Sequence, residues 1–103
     1  LSYLVLSIMF NHMVEHNNDK LDNIFQAMAD PTRREIVRLI ASNDRTVSEL
    51  AAPFDMSLAA ISKHIKVLER AGLLNKTTKG RTNISRLNPD SLSSAIEWLR
   101  FYE

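Results

Sequence analysis

Residues 57–74 read SLAAISKHIKVLERAGLL, and their spacing decides the fold. At about 100° per residue, Ile61, Ile65, Leu68 and Gly72 gather on one side of a helix, with Leu58 nearby. Ala59, Lys63, Lys66 and Arg70 gather on the opposite side, within about 60° of one another, and Ser62 lies at their edge. Ala60, Val67 and Ala71 make a third strip, of residues small enough for another helix to pack closely. Gly72 is placed to end the helix in a left-handed conformation. The result is an amphipathic helix whose polar side is almost entirely positive, Glu69 being its one acid.

A charged helix face is ordinarily a solvated one of mixed sign. Here the whole surrounding block is of one sign. Residues 57–86 hold seven basic side chains (Lys63, Lys66, Arg70, Lys76, Lys79, Arg81 and Arg86) against Glu69, a net +6. The rest of the chain holds six basic and eleven acidic residues, a net −5, so the overall charge of +1 conceals a basic third on an acidic body. Such asymmetry points to an anionic partner, nucleic acid first among them.

Upstream, TVSELAAPF (46–54) is a short helix with Thr46 as candidate cap and Glu49 three residues on. Pro53 and the following DMS interrupt it before the basic helix begins. Two helices joined by this tight turn make a helix-turn-helix. Downstream, LLNKTTKGRTNISRL (73–87) is rich in Thr, Asn and Ile, with Gly80 at its middle, and reads as two short strands around a basic turn. A basic hairpin directly after a helix-turn-helix is a wing. In that arrangement the helix enters the major groove and the wing reaches the backbone or the minor groove.

The flanks complete the domain. In DKLDNIFQAMA (19–29), Leu21, Ile24, Phe25 and Met28 share one helical face. In DPTRREIVRLI (30–40), Asp30 is an N-cap, Pro31 opens the helix, and Ile36, Val37 and Ile40 form its stripe. SNDR (42–45) breaks the chain. NPDSLSSAIEWLRFYE (88–103) is a final helix carrying Ile96, Leu99 and Tyr102, with Trp98 beside them. Its stripe stops uncapped at the last residue, which predicts that the native chain continues. The predicted fold is mainly α with a small β-hairpin wing: a dimeric winged helix-turn-helix of about five helices over residues 17–103. A chain of 103 residues hides roughly two-thirds of its unfolded surface, so burial against a second subunit helps stabilise it.

Residues 1–16 are a separate N-terminal arm. LSYLVLSIMF is apolar but too short to span a bilayer, and it lacks the basic region and cleavage site of a secretory signal. Met9 and Met13 are candidate starts, which makes the leader an upstream extension. The functional alternative is an apolar arm that packs on a partner subunit. The chain has no cysteine, which excludes disulfides, thiolate metal sites and thiol chemistry and leaves a cytoplasmic setting as the default.

The segments MADPTRREIVRLI (28–40), TVSELAAPFDMSLAAISKHIKVLERAGLL (46–74), KGRTNISRLNP (79–89) and AIEWLRFYE (95–103) closely resemble the ArsR/SmtB family of bacterial winged-helix repressors. The resemblance runs from about Met9 to Glu103, and MFNHMVEHN (9–17) resembles the start of one branch. It implies a homodimer on double-stranded DNA at a palindromic operator, repressing its own gene or a neighbouring operon. It implies that the first and last helices form most of the interface, through Leu21, Ile24, Phe25, Ile96, Trp98, Leu99 and Tyr102. Ala59, Ser62 and Lys63 match base-reading positions. Lys66, Arg70 and Ser57 match phosphate contacts, and Arg81, beside Lys79, matches the arginine at the wing tip. Many relatives have Gln, and Ser or Pro, where this chain has Leu58 and Ala59, which leaves fewer groups to hydrogen-bond base edges. Ala59 can still touch thymine methyls, and shape readout, together with Lys63 and Arg81, takes a larger share.

Classical members of the family sense metals, through cysteines in the helix-turn-helix or through Asp, His and Glu on the last helix. TVSELAAPF has no cysteine, and Asp90, Glu97 and Glu103 have no histidine among them, so neither pattern is met and no metal site is assigned. His12 and His16 lie four residues apart, but two ligands do not make a zinc site, and they read as surface residues of the arm. His64 reads as a packed histidine. Trp98, Phe101 and Tyr102 suit dimer packing better than a small-molecule pocket, and a small-molecule effector stays open, with no cofactor assigned. Catalysis is not expected. There are only two glycines and no phosphate loop, and the neighbours Ser62 and His64 share one helix with nothing to orient them as a pair. The competing non-catalytic reading is a winged-helix protein-interaction module that has lost DNA binding, and such modules usually lose the positive face that this chain keeps.

Overall fold

The computed structural model describes Leu4 and residues 20–103. The apolar leader apart from Leu4, and the pair His12 and His16, lie outside the described residues. Helix α1 covers residues 20–28. Helix α2 (Pro31–Ser42) begins where Asp30 caps it, its carboxylate accepting from Arg33 N at 3.0 Å with Pro31 in the first turn. Helix α3 (Val47–Ala51) and helix α4 (Leu58–Arg70) follow, then the wing strands β2 (Leu74–Lys79) and β3 (Thr82–Leu87), and helix α5 (Pro89–Arg100). Gly72 ends α4 with φ +80, a left-handed conformation that disfavours any residue with a Cβ.

One element is absent from the sequence reading. Arg45–Thr46, where the predicted break meets the predicted cap of the next helix, form a short strand β1. It pairs antiparallel with β3, Arg45 opposite Ser85 and Thr46 opposite Ile84, to give a three-stranded sheet of order β1-β3-β2. The wing is thus tied to the start of α3 rather than projecting alone. Its two long strands run in register from Leu74 opposite Leu87 to Lys79 opposite Thr82. Gly80, first of the two turn residues, has φ +62, as a tight hairpin of II′ type requires at that position.

The core draws on almost every element. Ile24 of α1, Ile36 of α2, Leu50 of α3, Ile61, Ile65 and Leu68 of α4, and Leu73 and Leu74 at the root of the wing are all at most 1% exposed. Three successive turns of α4 are therefore clamped by apolar packing on one side, and the opposite side is free to face outward. The apolar stripe predicted for α4 is observed, with one correction. Leu58, placed near the core face by helical spacing, is 56% exposed, because the first residue of the helix lies past the end of the packed layer.

Candidate nucleic-acid interface

Local capping sets the geometry of the helix-turn-helix. Thr46 and Glu49 close a reciprocal box at the start of α3: Glu49 N donates to Thr46 Oγ1 at 3.2 Å and Thr46 N donates to Glu49 Oε1 at 3.0 Å. These bonds hold the Glu49 carboxyl below its usual pKa, the backbone N–H of Thr46 being the main cause. Ser57 caps α4, its hydroxyl oxygen accepting from Ala60 N at 3.1 Å. The hydroxyl proton stays available to an outside acceptor, and the N-terminal amides of α4 add positive potential beside it.

On the outward side of α4, Ala59, Lys63, Lys66 and Arg70 are exposed and Ser62 is half-buried. Lys79 and Arg81 are exposed at the wing tip. Among the described residues none of these five cations has an ion-pair partner, and the basic residues that are paired lie elsewhere: Arg38 with Glu35, and Arg86 Nε at 3.8 Å from Asp44. The predicted cations of α4 and the wing are all exposed, and among the described residues no carboxylate pairs with them.

A second feature, not legible in the sequence, ties α4 to the body. Arg33, near the start of α2, donates from Nε to the Ala27 carbonyl at 2.7 Å and from Nη2 to the Gln26 carbonyl at 3.2 Å. Arg34 reaches the Met28 carbonyl at 2.9 Å. The last-turn carbonyls of α1 are thus satisfied by guanidinium groups of α2. The Nη1 of Arg33 sits 3.3 Å from His64 Nδ1 on α4, so Nδ1 is assigned as the acceptor. The same nitrogen lies 3.9 Å from Asp30 Oδ2. The Arg33 backbone N–H is the main cause that holds the Asp30 carboxyl below its usual value of 3.8, against the opposing effect of burial, and the Arg33 charge adds to the lowering. His64 is packed, as expected, and its contact with Arg33 links α4 to the α1–α2 corner.

The helices expected at a subunit interface divide into two groups. Phe25 is 37% exposed, Ile96 47%, Leu99 53% and Tyr102 60%. Trp98 bridges them, with its ring centroid 5.7 Å from that of Phe25 and 5.0 Å from that of Tyr102. These residues form an aromatic and aliphatic face shared by α1 and α5. The expectation that Leu21 and Ile24 face a partner is corrected. They are 8% and 1% exposed, buried in the core of their own chain, because the wide apolar stripe of α1 is divided between two surfaces. Among the described residues no group of three or more His, Asp or Glu side chains is placed to share a metal ion. No described helix is long and apolar enough to cross a membrane.

Comparison with known proteins agrees with this geometry. A helix-turn-helix domain family model matches residues 28–77. The transcriptional repressor SdpR of Bacillus subtilis is 34% identical over 79 residues, covering 77% of this chain and 88% of that protein. The crystal structure of an ArsR-family transcriptional regulator superposes with a TM-score of 0.78 at 38% identity, over 82% of this chain and 88% of the other. The solution structure of a homodimeric winged helix-turn-helix DNA-binding domain from Mycobacterium bovis shares the fold, with a TM-score of 0.72 at 22% identity over 85% and 84% of the two chains. The chain belongs to the ArsR/SmtB family of winged helix-turn-helix transcriptional regulators.

Proposed function

We propose that this protein is a homodimeric transcriptional repressor that binds a palindromic operator, with α4 in the major groove and the wing on the backbone or minor groove of each half-site. The observation that carries this reading is the exposed cation set of α4 and the wing, without an ion-pair partner among the described residues and held on the side of α4 opposite its packed face. Ala59, Ser62 and Lys63 are assigned to base edges. Lys66, Arg70 and Ser57 are assigned to phosphates from the helix, and Lys79 and Arg81 from the wing. Phe25, Ile96, Trp98, Leu99 and Tyr102 form the contact between subunits. SdpR is a repressor by name and the Mycobacterium bovis domain is described as homodimeric; both properties are carried to this chain here. The protein acts in the cytoplasm and by binding rather than catalysis. The alternative of a protein-interaction module is disfavoured by the same cation set, which such a role does not use.

Four phosphate-contacting cations per protomer (Lys66, Arg70, Lys79 and Arg81) make about 8 per dimer, which sets a slope of about −7 for log K against log salt. Fluorescence anisotropy with labelled duplex DNA between 50 and 200 mM salt measures it. A slope near zero, or no binding at 50 mM salt, would overturn the proposal.

A further inference from the structure

Seven large apolar side chains between residues 20 and 103 are markedly exposed: Phe25, Met56, Leu58, Val67, Ile96, Leu99 and Tyr102. Four of them belong to the α1–α5 face, and Val67 lines a cleft of about 370 Å³ with Asn23, Gln26, Arg33, Arg70 and Ala71. Met56 and Leu58 remain. They flank the N-cap Ser57, at the end of α4 that leads into the proposed interface. Met56 leans on the start of α2, with its sulfur 3.9 Å from Thr32 Oγ1. Leu58 occupies the first turn of α4, at the same end as Ala59 but about 100° around the helix from it, between the packed face and Ser62, which lies about 40° away.

We infer that Leu58 is an apolar reader of thymine C5-methyl groups and a determinant of operator sequence. The inference rests on the DNA-binding reading and specifies what the leading turn of α4 recognises. The first turn of a recognition helix is the part that meets base edges. Thymine is the one base that displays an apolar group there, its C5-methyl in the major groove. Ser57 on one side and Lys63 on the other anchor this turn to polyanionic DNA, so its hydrophobic surface meets base edges rather than another apolar protein face. Ala59 can touch a methyl but offers only a single methyl group to it. A leucine one position earlier, 56% exposed in the free protein, has the surface to cover it. Leu58 offers no hydrogen bond, so its discrimination is the removal of one methyl group from water.

The test substitutes the methyl group itself. A duplex enriched from a random-sequence pool by the wild-type protein is resynthesised with deoxyuridine in place of thymidine, one position at a time. This removes the C5-methyl and leaves every hydrogen-bonding group intact. Binding is compared for wild type, Leu58→Ala and Ala59→Gly, with thermal melting to show that each variant is folded. The expected result is a loss of about 4-fold for one methyl in one half-site, and about 15-fold when both half-sites are changed. Leu58→Ala is expected to bind the thymidine and deoxyuridine duplexes alike. Three results would overturn the inference: no position sensitive to deoxyuridine in the wild type, an undiminished penalty in Leu58→Ala, or a penalty that disappears only in Ala59→Gly. Failure of the pool to yield any bound duplex would overturn the DNA-binding reading, and this inference with it. A sequence-specific duplex whose affinity ignores the methyl leaves the DNA-binding reading standing and removes only the role of Leu58.

Discussion

Leu99 is the sharpest probe of the subunit contact. It lies on α5, 53% exposed, outside the apolar core of its own chain. Full burial of a leucine side chain is worth about 2 kcal/mol, so covering the exposed half against a partner contributes about 1 kcal/mol. A twofold interface uses the residue twice. Leu99→Ala is therefore expected to weaken the dimer by roughly 2 kcal/mol, about 30-fold in dissociation constant. Leu99→Glu adds two carboxylates that must leave water near Trp98 and Tyr102, and it is expected to give a monomer at micromolar concentration. Sedimentation equilibrium measures the change, and far-ultraviolet circular dichroism confirms that each variant keeps its helices. The DNA readout should follow. Below the dimerisation constant, affinity for a two-half-site duplex falls while the weak affinity of one protomer for a half-site is unchanged. A Leu99→Glu protein that remains dimeric would refute the assignment of this face.

Three further expectations concern α3, the phosphate contacts and acid stability. Thr46→Ala removes one half of the box with Glu49 and should lower stability by about 1 kcal/mol in urea denaturation, with the unfolding slope unchanged. Lys66→Ala removes two phosphate contacts per dimer and should flatten the salt slope from about −7 to about −5, with equal loss on operator and random DNA. The carboxyls of Asp30, Glu35 and Glu49 are all held below their usual values in the folded chain, Asp30 and Glu49 first by backbone N–H donors and Glu35 first by the Arg38 side chain. A depressed carboxyl contributes stability that is present above its unfolded pKa and lost as pH falls through the folded one. Stability measured by urea denaturation should therefore be flat above about pH 5 and decline below about pH 4, and Asp30→Asn should reduce that decline.

Much of the fold was legible because its signals are local. Asp30 before Pro31, Thr46 before Glu49, and Gly72 after Arg70 each mark a helix end through neighbouring backbone groups, and each cap is observed. The basic strip of α4 followed from the 3.6-residue period alone. What escaped depends on contacts between distant residues. The strand Arg45–Thr46 exists only because β3 lies beside it, and two residues carry no periodicity to detect. The bonds from Arg33 and Arg34 to the end of α1 require the helices to have packed first. A helical projection fixes direction around the axis but not where the core stops along it, so it placed Leu58 with buried neighbours. Nor does it show that one wide apolar stripe serves two surfaces, as on α1, where Leu21 and Ile24 lie in the core and Phe25 faces outward.

The most direct test of the central claim is recovery of bound fragments from sheared source-genome DNA with the purified protein at about 150 mM salt, where charge-only binding is weak. Enrichment of one inverted repeat, with half-site centres about 10.5 base pairs apart or a multiple of that, is the predicted result. Recovery of fragments with no shared sequence, or of a single unrepeated site bound by one protomer, would contradict the account.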